Sequence, residues 1–459
     1  MPLQLDMADK AIPAEPKLRR RAVSLWVSTT YFAEGLPYMI VRSLSSVYFT
    51  DIGMREAVIG YLNWLGIPWN FKFLWAPLLD WFSTKRRWML WIQGAIGVLV
   101  CLIALLTALG PPELTTPAGA AGQAARVSWA DFARTIDPLT GLSHQAIVLA
   151  ILGVFVLVAF FSSTHDIAID AYYMEGIPAK ADQAAYTGLR VMAYRMAILF
   201  ARMVLLVLPT WLWGFGVGGL VLLVLWAFHA LYLPRPAPQS APPQERPRFL
   251  PHFVEAFTSY LKQEKAWLVL LFIASYKLGD DVLFAMNSPF LMRELGVTRA
   301  QLGTPLGVLG TIATIAGSLL GAWAIKRYGL KRTIWPLTLF MNLNIWVYVW
   351  LAWSKPTAAS IDGLLLITAL HGYENLAAGL GNAALVVFIL YTCKPEFKAT
   401  HYAIGSAIMS IGLTVFGGFT GILVEKIGYT NLYILAFLAS LPSMALIFFL
   451  PAETLKTSS

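Results

Sequence analysis

The chain is poor in charged residues and in cysteine. Only 13% of its 459 residues are charged, whereas soluble domains carry about 25%, so water is not the solvent of most of its surface. The two cysteines, Cys101 and Cys393, lie inside or at the end of apolar runs, which argues against a disulfide framework and against a zinc site. We expect both to be packing residues, and we expect no metal and no other cofactor.

The sequence also lacks the motifs of common catalytic centres. It contains no GxxxxGK[ST], no HExxH and no GxSxG, so ATP-driven transport by this chain alone and the familiar hydrolase chemistries are disfavoured. Its net charge of +9 comes from short basic clusters between apolar runs, a pattern that indicates membrane topology and not nucleic-acid binding. A membrane-embedded enzyme or a sensor is an alternative, but no catalytic constellation and no soluble domain is visible.

Long apolar runs fill most of the chain. Mean hydropathy is +0.64 and 58% of the residues are apolar. A helix crosses a bilayer with about 20 apolar residues. Twelve runs meet this length and predict an all-α membrane protein, with spans near 22–49, 57–81, 88–109, 145–172, 183–209, 211–233, 266–292, 300–325, 333–354, 361–392, 400–424 and 430–450.

The twelve spans divide into two six-helix halves. Lys and Arg concentrate in alternate loops, which predicts cytoplasmic N- and C-termini, and the first 21 residues lack the apolar stretch of a signal peptide. Two GxxxG pairs, Gly317 with Gly321 and Gly417 with Gly421, predict close helix packing. The expected segments are a cytoplasmic tail (1–21), a first half (22–233) with a periplasmic loop (110–144) that holds a short helix around 129–136, a cytoplasmic linker with an amphipathic part (234–265), a second half (266–450) and a second tail (451–459).

The halves repeat a basic loop after their second helix. The first copy contains Asp80, Lys85, Arg86 and Arg87, and the second contains the segment 326–332, which reads KRYGLKR. Both resemble the loop motif of the major facilitator superfamily, and their equivalent positions are typical of the internal repeats of secondary transporters. The resemblance implies the major facilitator fold.

Charged residues near the bilayer midplane indicate the functional site. Each costs about 2.5–3.5 kcal/mol to insert, so such a residue is retained where it forms an ion pair, faces a cavity or has a function. Proton carriers are buried carboxyl groups, and here the candidates are Glu34, Asp280, Asp281 and Glu374. Substrate binding requires cations, amides and aromatic faces. The candidates for that role are Arg195, Lys277, Asn70, Asn375, His371, Tyr194 and Trp69.

The segment YKLGDD on the seventh span has two interpretations. Lys277 and Asp281 are four residues apart and share a helix face, so they form either a self-neutralising structural pair or part of a proton-coupling site. Asp280 has no obvious partner on its own helix. We therefore expect Asp280 to be the freer of the two carboxyl groups.

The segment HDIAID on the fourth span places Asp166 and Asp170 four residues apart. About twenty apolar residues precede them, so we expect them near the cytoplasmic end, within reach of Lys72, Arg190 and the basic loop at 85–87. They form either a salt-bridge gate that closes the inner side or a purely structural network.

Five segments together resemble the AmpG-type muropeptide permeases, a branch of the major facilitator superfamily that also includes acetyl-coenzyme A transporters. The resemblance implies proton-driven import of N-acetylglucosaminyl-anhydro-N-acetylmuramyl peptides across the bacterial cytoplasmic membrane by a monomer whose partners are the bilayer, a small-molecule substrate and protons. A siderophore or an acyl-coenzyme A-like anion is the alternative cargo. The segments are GLPY (35–38), FKFLWAPLLD (71–80), HDIAIDAY (165–172), YKLGDD (276–281) and YENLAAGLGN (373–382).

Overall fold

The computed structural model describes residues 17–76, 79, 83–112, 127, 129–177, 180–235 and 249–451. The start of the expected N-terminal tail, Asp80, residues 113–126 and 128 of the loop 110–144, the Pro-rich part of the linker and nearly all of the C-terminal tail lie outside the described residues.

Twelve long helical segments follow one another along the described chain. Each overlaps the apolar run that predicted it, because a backbone in lipid must satisfy its own hydrogen bonds, although α2 ends at 74 and α5 at 205, short of the predicted 81 and 209. The segments are α1 (17–51), α2 (56–74), α3 (Lys85–Leu109), α4 (His144–Gly176), α5 (180–205), α6 (Trp211–Tyr232), α7 (266–293), α8 (Arg299–Tyr328), α9 (Leu330–Ser354), α10 (Ile361–Tyr391), α11 (398–427) and α12 (429–449).

Seven of the described helices are long and apolar enough by themselves to cross a membrane, with α11 and α12 counted together as one. The remaining segments, α1, α2, α5 and α7, carry charged residues or are divided by irregular turns. Large apolar side chains such as Leu149, Leu220, Trp267 and Leu365 are exposed on the outside of the bundle. An apolar outer surface of this kind is suited to lipid and not to water.

Side-chain caps and glycines mark the helix ends. Thr84, Ser143 and Ser360 each accept a hydrogen bond from a backbone N–H in the first turn of α3, α4 and α10, which satisfies a donor that the helix leaves free. Gly329, with φ of 79°, separates α8 from α9, and Gly428, with φ of 76°, separates α11 from α12. Positive φ is readily available to glycine, so two pairs of helices are joined by a single residue each.

Two α-helices of the described residues lie outside the twelve segments. The helix Trp129–Arg134 precedes α4 and confirms the short helix expected in the outer loop. The linker helix Phe249–Leu261 precedes α7 and packs on the second half, where the hydroxyl of Tyr260 lies 3.1 Å from Thr392 Oγ1 and its ring lies 4.9 Å from that of His401.

The bundle has two ends. We call the end that carries the described chain ends the terminal end; there Trp26, Leu79 and Leu233 share one apolar cluster and Leu330 and Leu450 share another. We call the opposite end, which carries the α1–α2 and α7–α8 connections, the distal end.

The ion pairs that join the two halves, within the described part of the chain, all lie at the distal end. Arg293 pairs with Glu56, Arg55 with Glu425, and Arg299 with Asp51. At the same end α2 packs closely on α11, since a Cβ atom on Gly421 would lie 1.8 Å from the carbonyl oxygen of Glu56. The halves are therefore closed against each other at the distal end.

The GxxxG pairs are packing sites, as predicted. A Cβ atom on Gly317 would lie 2.1 Å from the carbonyl oxygen of Leu376, and one on Gly321 would lie 2.9 Å from the carbonyl oxygen of Leu380, so α8 and α10 are in backbone contact. The pair Gly417 and Gly421 likewise faces α2. Small residues at such positions allow the close approach that helix association in membranes requires.

Candidate functional site

A cavity between the two halves consists of two adjoining chambers. The distal chamber, of about 240 Å³, is lined from α1, α2, α5, α7, α8, α10 and α11. The terminal chamber, of about 370 Å³, is lined mainly from α1, α2, α7 and α11. Tyr38, Arg42 and Leu413 line both chambers, so the two are continuous.

Four π-helical turns border the distal chamber. They interrupt α1 at Ile40–Leu44, α5 at Ala201–Leu205, α8 at Leu302–Gly307 and α11 at Gly412–Phe416, and each contributes at least one lining residue. Such turns are frequent at functional sites because the additional residue redirects the side chains that follow.

A charge cluster in the first half joins α1, α2 and α4. Lys72 Nζ pairs with Asp166 Oδ2, and the carboxyl group of Glu34 is hydrogen-bonded to that of Asp166. One of two carboxyl groups in such contact must carry a proton, since an ionised carboxylate only accepts. The cluster therefore places two carboxyl groups in contact with each other beside one ammonium group.

A second ion pair lies next to this cluster. Arg190 Nη2 is 2.5 Å from Asp170 Oδ1, to which the hydroxyl of Tyr31 donates at 2.7 Å. The guanidinium carbon lies 4.3 Å from the ring centre of Tyr31 and 4.4 Å from that of Tyr173, within the range of cation–π attraction. These contacts bind α1, α4 and α5 to one another.

The gate candidates thus pair within the first half. Lys72, Asp166, Asp170 and Arg190 have no ion-pair partner from the second half among the described residues. None of the α4 residues lines either chamber. Their role as an inner gate stays a prediction.

The basic loop after α2 binds helix ends. Lys85 Nζ donates to the carbonyl oxygen of Leu79 at 3.0 Å, and Arg86 Nη2 donates to that of Ala230 at 2.7 Å. Cations stabilise the carbonyl end of a helix, so this loop holds the end of α6 against the start of α3. Arg87 is exposed, and Asp80 lies outside the described residues.

A second charge cluster joins α7 and α10. Lys277 Nζ lies 3.8 Å from Asp280 Oδ2 and 3.6 Å from Asp281 Oδ1, and the carboxyl groups of Asp280 and Glu374 are hydrogen-bonded to each other. The expectation that Asp280 lacks a partner on its own helix is wrong. Helix α7 is interrupted at Lys277, where φ is −103° and ψ is 5°, so the lysine reaches both aspartates.

This cluster repeats the arrangement of the first half. Each half holds one lysine and a hydrogen-bonded carboxyl pair that connects its first helix to its fourth: Glu34 with Asp166, and Asp280 with Glu374. Lys277 and Asp281 line the terminal chamber. The second cluster is therefore in direct contact with the cavity.

A chain of polar side chains continues from Glu374 into the distal chamber. Asn375 Nδ2 donates to Glu374 Oε2 at 3.2 Å and lies 3.3 Å from His371 Nε2. His371 Nδ1 lies 2.7 Å from the hydroxyl of Tyr348, to which Asn287 donates at 3.1 Å. The sequence analysis did not identify Tyr348 or Asn287, which lie on α9 and α7 and come together only in the folded bundle.

The substrate-binding candidates are divided by the structure. Lys277, Trp69 and Asn70 line the terminal chamber, and His371 and Asn375 line the distal chamber. Arg195 and Tyr194 line neither chamber; the ring of Tyr194 lies 6.1 Å from that of Tyr38.

Two arginines outside the candidate set do line the cavity. Arg42 borders both chambers and Arg202 borders the distal one. Both lie in π-helical turns, which regular helical spacing does not anticipate. The available signal was an arginine inside an apolar run, which is costly unless it faces a cavity or an anion.

Comparison with known families identifies the fold. The model of the Major Facilitator Superfamily matches residues 138–376, more than half of the chain. The chain belongs to the Major Facilitator Superfamily. Membership makes it a multi-pass membrane protein and a secondary active transporter of a small-molecule substrate, and the predicted all-α architecture of two six-helix halves is confirmed.

Relatives within the superfamily confirm the resemblance to the AmpG-type permeases. The anhydromuropeptide permease of Escherichia coli strain K12 is 26% identical over 423 residues, which cover 91% of this chain and 77% of the relative. The putative transporter AmpG 4 of Rickettsia conorii is 24% identical over 430 residues, covering 91% and 93%.

Solved structures of other transporters share the fold. A D-xylose–proton symporter superposes with a TM-score of 0.65 at 11% identity and covers 95% of this chain and 99% of its own. A bacterial homologue of the human lysosomal transporter Spinster gives 0.64 at 14% identity, covering 97% and 100%.

Proposed function

We propose that this protein imports muropeptides, N-acetylglucosaminyl-anhydro-N-acetylmuramyl peptides, across the bacterial cytoplasmic membrane by alternating access coupled to protons. The observation that carries the coupling is the hydrogen-bonded carboxyl pair of Asp280 and Glu374 beside Lys277. The cargo rests on the likeness to the anhydromuropeptide permease over 91% of the chain.

Proton binding changes the charge of the second cluster. With Lys277 charged, one proton on the Asp280–Glu374 pair and Asp281 ionised, negative charges exceed positive charges by one. One further proton makes the cluster neutral, and a neutral cluster is cheaper to enclose in a low-dielectric interior. Protonation therefore favours closure of the cavity, and release on the opposite side resets the cluster.

The terminal chamber suits the sugar part of the cargo. The ring of Trp69 meets that of Tyr38 edge to face at 5.3 Å, and both border the chamber together with Asn70 and Ser410. Aromatic faces beside hydrogen-bonding groups bind sugars by covering the apolar faces of the rings and bonding their hydroxyl groups.

The proposed orientation places both termini and the linker 234–265 in the cytoplasm. The segments 22–233 and 266–450 are then the two transporting halves, and the distal end faces the periplasm. The ion pairs at the distal end accordingly close the periplasmic side, and the cavity serves the cytoplasmic side. We propose that the protein works as a monomer and as a transporter without enzymatic activity.

Uptake by proteoliposomes tests this function. With an inward proton gradient, a radiolabelled anhydro-disaccharide tetrapeptide accumulates; a protonophore abolishes accumulation but leaves counterflow exchange intact. Unlabelled siderophore and acyl-coenzyme A serve as competitors for the alternative cargoes, and empty liposomes as the control. Uphill uptake that survives loss of the gradient contradicts proton coupling. Absence of muropeptide uptake together with uptake of a labelled siderophore or acyl-coenzyme A replaces the cargo.

A further inference from the structure

The distal chamber has a chemistry of its own. We propose that it is a carboxylate-binding subsite, in which Arg42 and Arg202 bind a carboxylate of the cargo's peptide. This inference rests on the proposed function, because it takes the peptide from the proposed cargo. It adds an orientation: peptide in the distal chamber and disaccharide in the terminal chamber.

The charge of the distal chamber is one-sided. Arg42 and Arg202 line it, and no Asp or Glu of the described residues does. Neither arginine lies within ion-pair distance of a carboxylate in the described part of the chain. A guanidinium group at this depth remains charged, and without a protein counter-ion it attracts an anionic ligand.

Arg202 has donors to spare. Its Nη1 atom donates to the carbonyl oxygen of Gly307 and to Thr311 Oγ1, each at 3.2 Å, and these contacts fix the guanidinium against α8. A guanidinium has five N–H groups in a planar fork. The groups not used by α8 remain for a ligand, and two parallel bonds to one carboxylate are the arrangement that arginine favours.

Arg42 is positioned by α2. Its Nη1 atom donates to the carbonyl oxygen of Asn63 at 2.6 Å. A Cβ atom on Gly66 would lie 2.6 Å from the same Nη1 atom and 2.9 Å from the guanidinium carbon. Because Gly66 has no side chain, the guanidinium of Arg42 fits beside it, at the junction of the two chambers.

Neutral polar groups complete the chamber. Asn63, Asn287 and Asn375 line it together with His371, and amide groups pair with the amides of a peptide in the manner of backbone hydrogen bonds. The aromatic pair Tyr38 and Trp69 lies on the other side, in the terminal chamber. Aromatic rings therefore come first along the cavity, and arginines and amides follow. A cargo in which an amphiphilic sugar is joined to an anionic peptide matches this order.

Calorimetric binding to the full-length purified protein tests the subsite. The ligands are the anhydro-disaccharide tetrapeptide, the same molecule with every carboxylate amidated, and the peptide-free disaccharide with its lactyl carboxyl group amidated. We expect the wild-type protein to bind the free acid at least about tenfold more tightly than the amidated form, the effect of one charge-assisted interaction. R202Q and R42Q reduce this ratio to near one, and R202Q, whose residue borders only the distal chamber, leaves the affinity for the peptide-free disaccharide unchanged.

Two further variants separate charge from structure. Gly66→Ala keeps both charges but displaces the Arg42 guanidinium, and it is expected to reduce the ratio; it also stands in for any arginine variant that fails to fold. R202K retains part of the preference because it keeps the charge but loses the fork. Arg327→Gln removes an exposed arginine at the terminal end of α8 and leaves the ratio at its wild-type value.

Four results overturn the inference. If the wild-type protein binds the free acid and the amidated form with equal affinity, the carboxylate subsite does not exist, and the proposed function stays intact. An unchanged ratio in both R42Q and R202Q assigns the carboxylate elsewhere, and an equal loss of disaccharide binding shows that the arginines shape the whole cavity. If the wild-type protein binds none of the three ligands, the proposed function fails together with the subsite.

Discussion

Arg293 Nη1 lies 3.1 Å from Glu56 Oε1, and this pair joins the second half to the first at the distal end. The same guanidinium donates to the carbonyl oxygens of Thr50 and Met54 at 3.0 and 2.7 Å. The side chains of Arg293 and Glu56 are only 5% and 1% exposed. Removal of one partner leaves an uncompensated buried charge, which costs about 3–5 kcal/mol. This loss destabilises the conformation that is closed at the distal end.

Glu56→Gln is therefore expected to open the distal end. Spin labels on the exposed residues Ala146 and Ala359, after replacement of both native cysteines, report the distance between the halves, and the distance distribution shifts to longer values. Lys355→Gln is the matched control, since Lys355 Nζ pairs with Glu294 Oε2 at 2.5 Å at the same end but within one half. Equal shifts in both variants would show that the Glu56 pair has no special part in closure.

Gly421→Ala is expected to disturb the same interface because of the volume of the added methyl group. The added methyl group would lie 1.8 Å from a backbone oxygen of α2, which cannot move aside as a flexible side chain does, so the helices must separate. The spin-label distance should lengthen and the melting temperature should fall. Gly153→Ala, where nothing lies within 4 Å, is expected to leave both unchanged; the same response in both variants would contradict the packing account.

Asp280→Asn and Glu374→Gln are expected to separate accumulation from exchange. Each removes one member of the carboxyl pair, so the proton that neutralises the cluster has no site, and uphill uptake should fall by about tenfold or more. Counterflow exchange needs no net proton movement and should persist. Asp362→Asn, at the exposed start of α10, serves as the control. Uphill uptake retained in the double variant would exclude this pair as the proton carrier.

Asp137 gives the loop before α4 a dependence on pH. Its carboxylate accepts from the backbone N–H and the hydroxyl of Thr140, both at 2.8 Å, and from the N–H of Leu139, and these bonds lower the pKa of Asp137. A lowered pKa stabilises the loop above the ordinary carboxyl pKa of about 4, and this stabilisation is lost as the pH falls below that value.

Hydrogen exchange of the two amides, corrected for the intrinsic effect of pH, measures this loss. Protection of Leu139 and Thr140 should disappear on acidification in the wild type, whereas Asp137→Asn should be weakly protected at every pH. Asp131→Asn changes an exposed carboxylate that lies 4.0 Å from Arg134 Nη1, and it should behave like the wild type. Acid-independent protection in the wild type would refute the role of Asp137.

The sequence predicts the helices well because lipid imposes a minimum length on every apolar run. It also predicts which charged residues lie at depth. It does not predict how they combine, since Glu34 meets Asp166 and Asp280 meets Glu374 across helices that are far apart in the chain. Such pairs depend on the bundle and not on local spacing.

The positions of the arginines show a second limit. Depth in the bilayer and the chemistry of arginine predict a substrate role for Arg195, which lines neither chamber, and do not single out Arg202, which lines the distal chamber. The π-helical turn at Ala201–Leu205 inserts an additional residue into the register and turns Arg202 into the cavity. The π-helical turn of α1 likewise contains Arg42, and a 3.6-residue period predicts neither turn. The spacing of Lys277 and Asp281, in contrast, correctly predicts that the two share a helix face.

The lysine and carboxyl clusters each belong to one half only. Rotation of the halves as rigid bodies therefore carries Lys277, Asp280 and Glu374 along together and leaves their mutual distances unchanged. The neighbouring charges of the proton site are then the same in both access states, and what differs is hydration: water reaches the carboxyl pair from one compartment or from the other. Wetting and drying of the terminal chamber, and not a rearrangement of ion pairs, would set the moment at which the proton is bound or released.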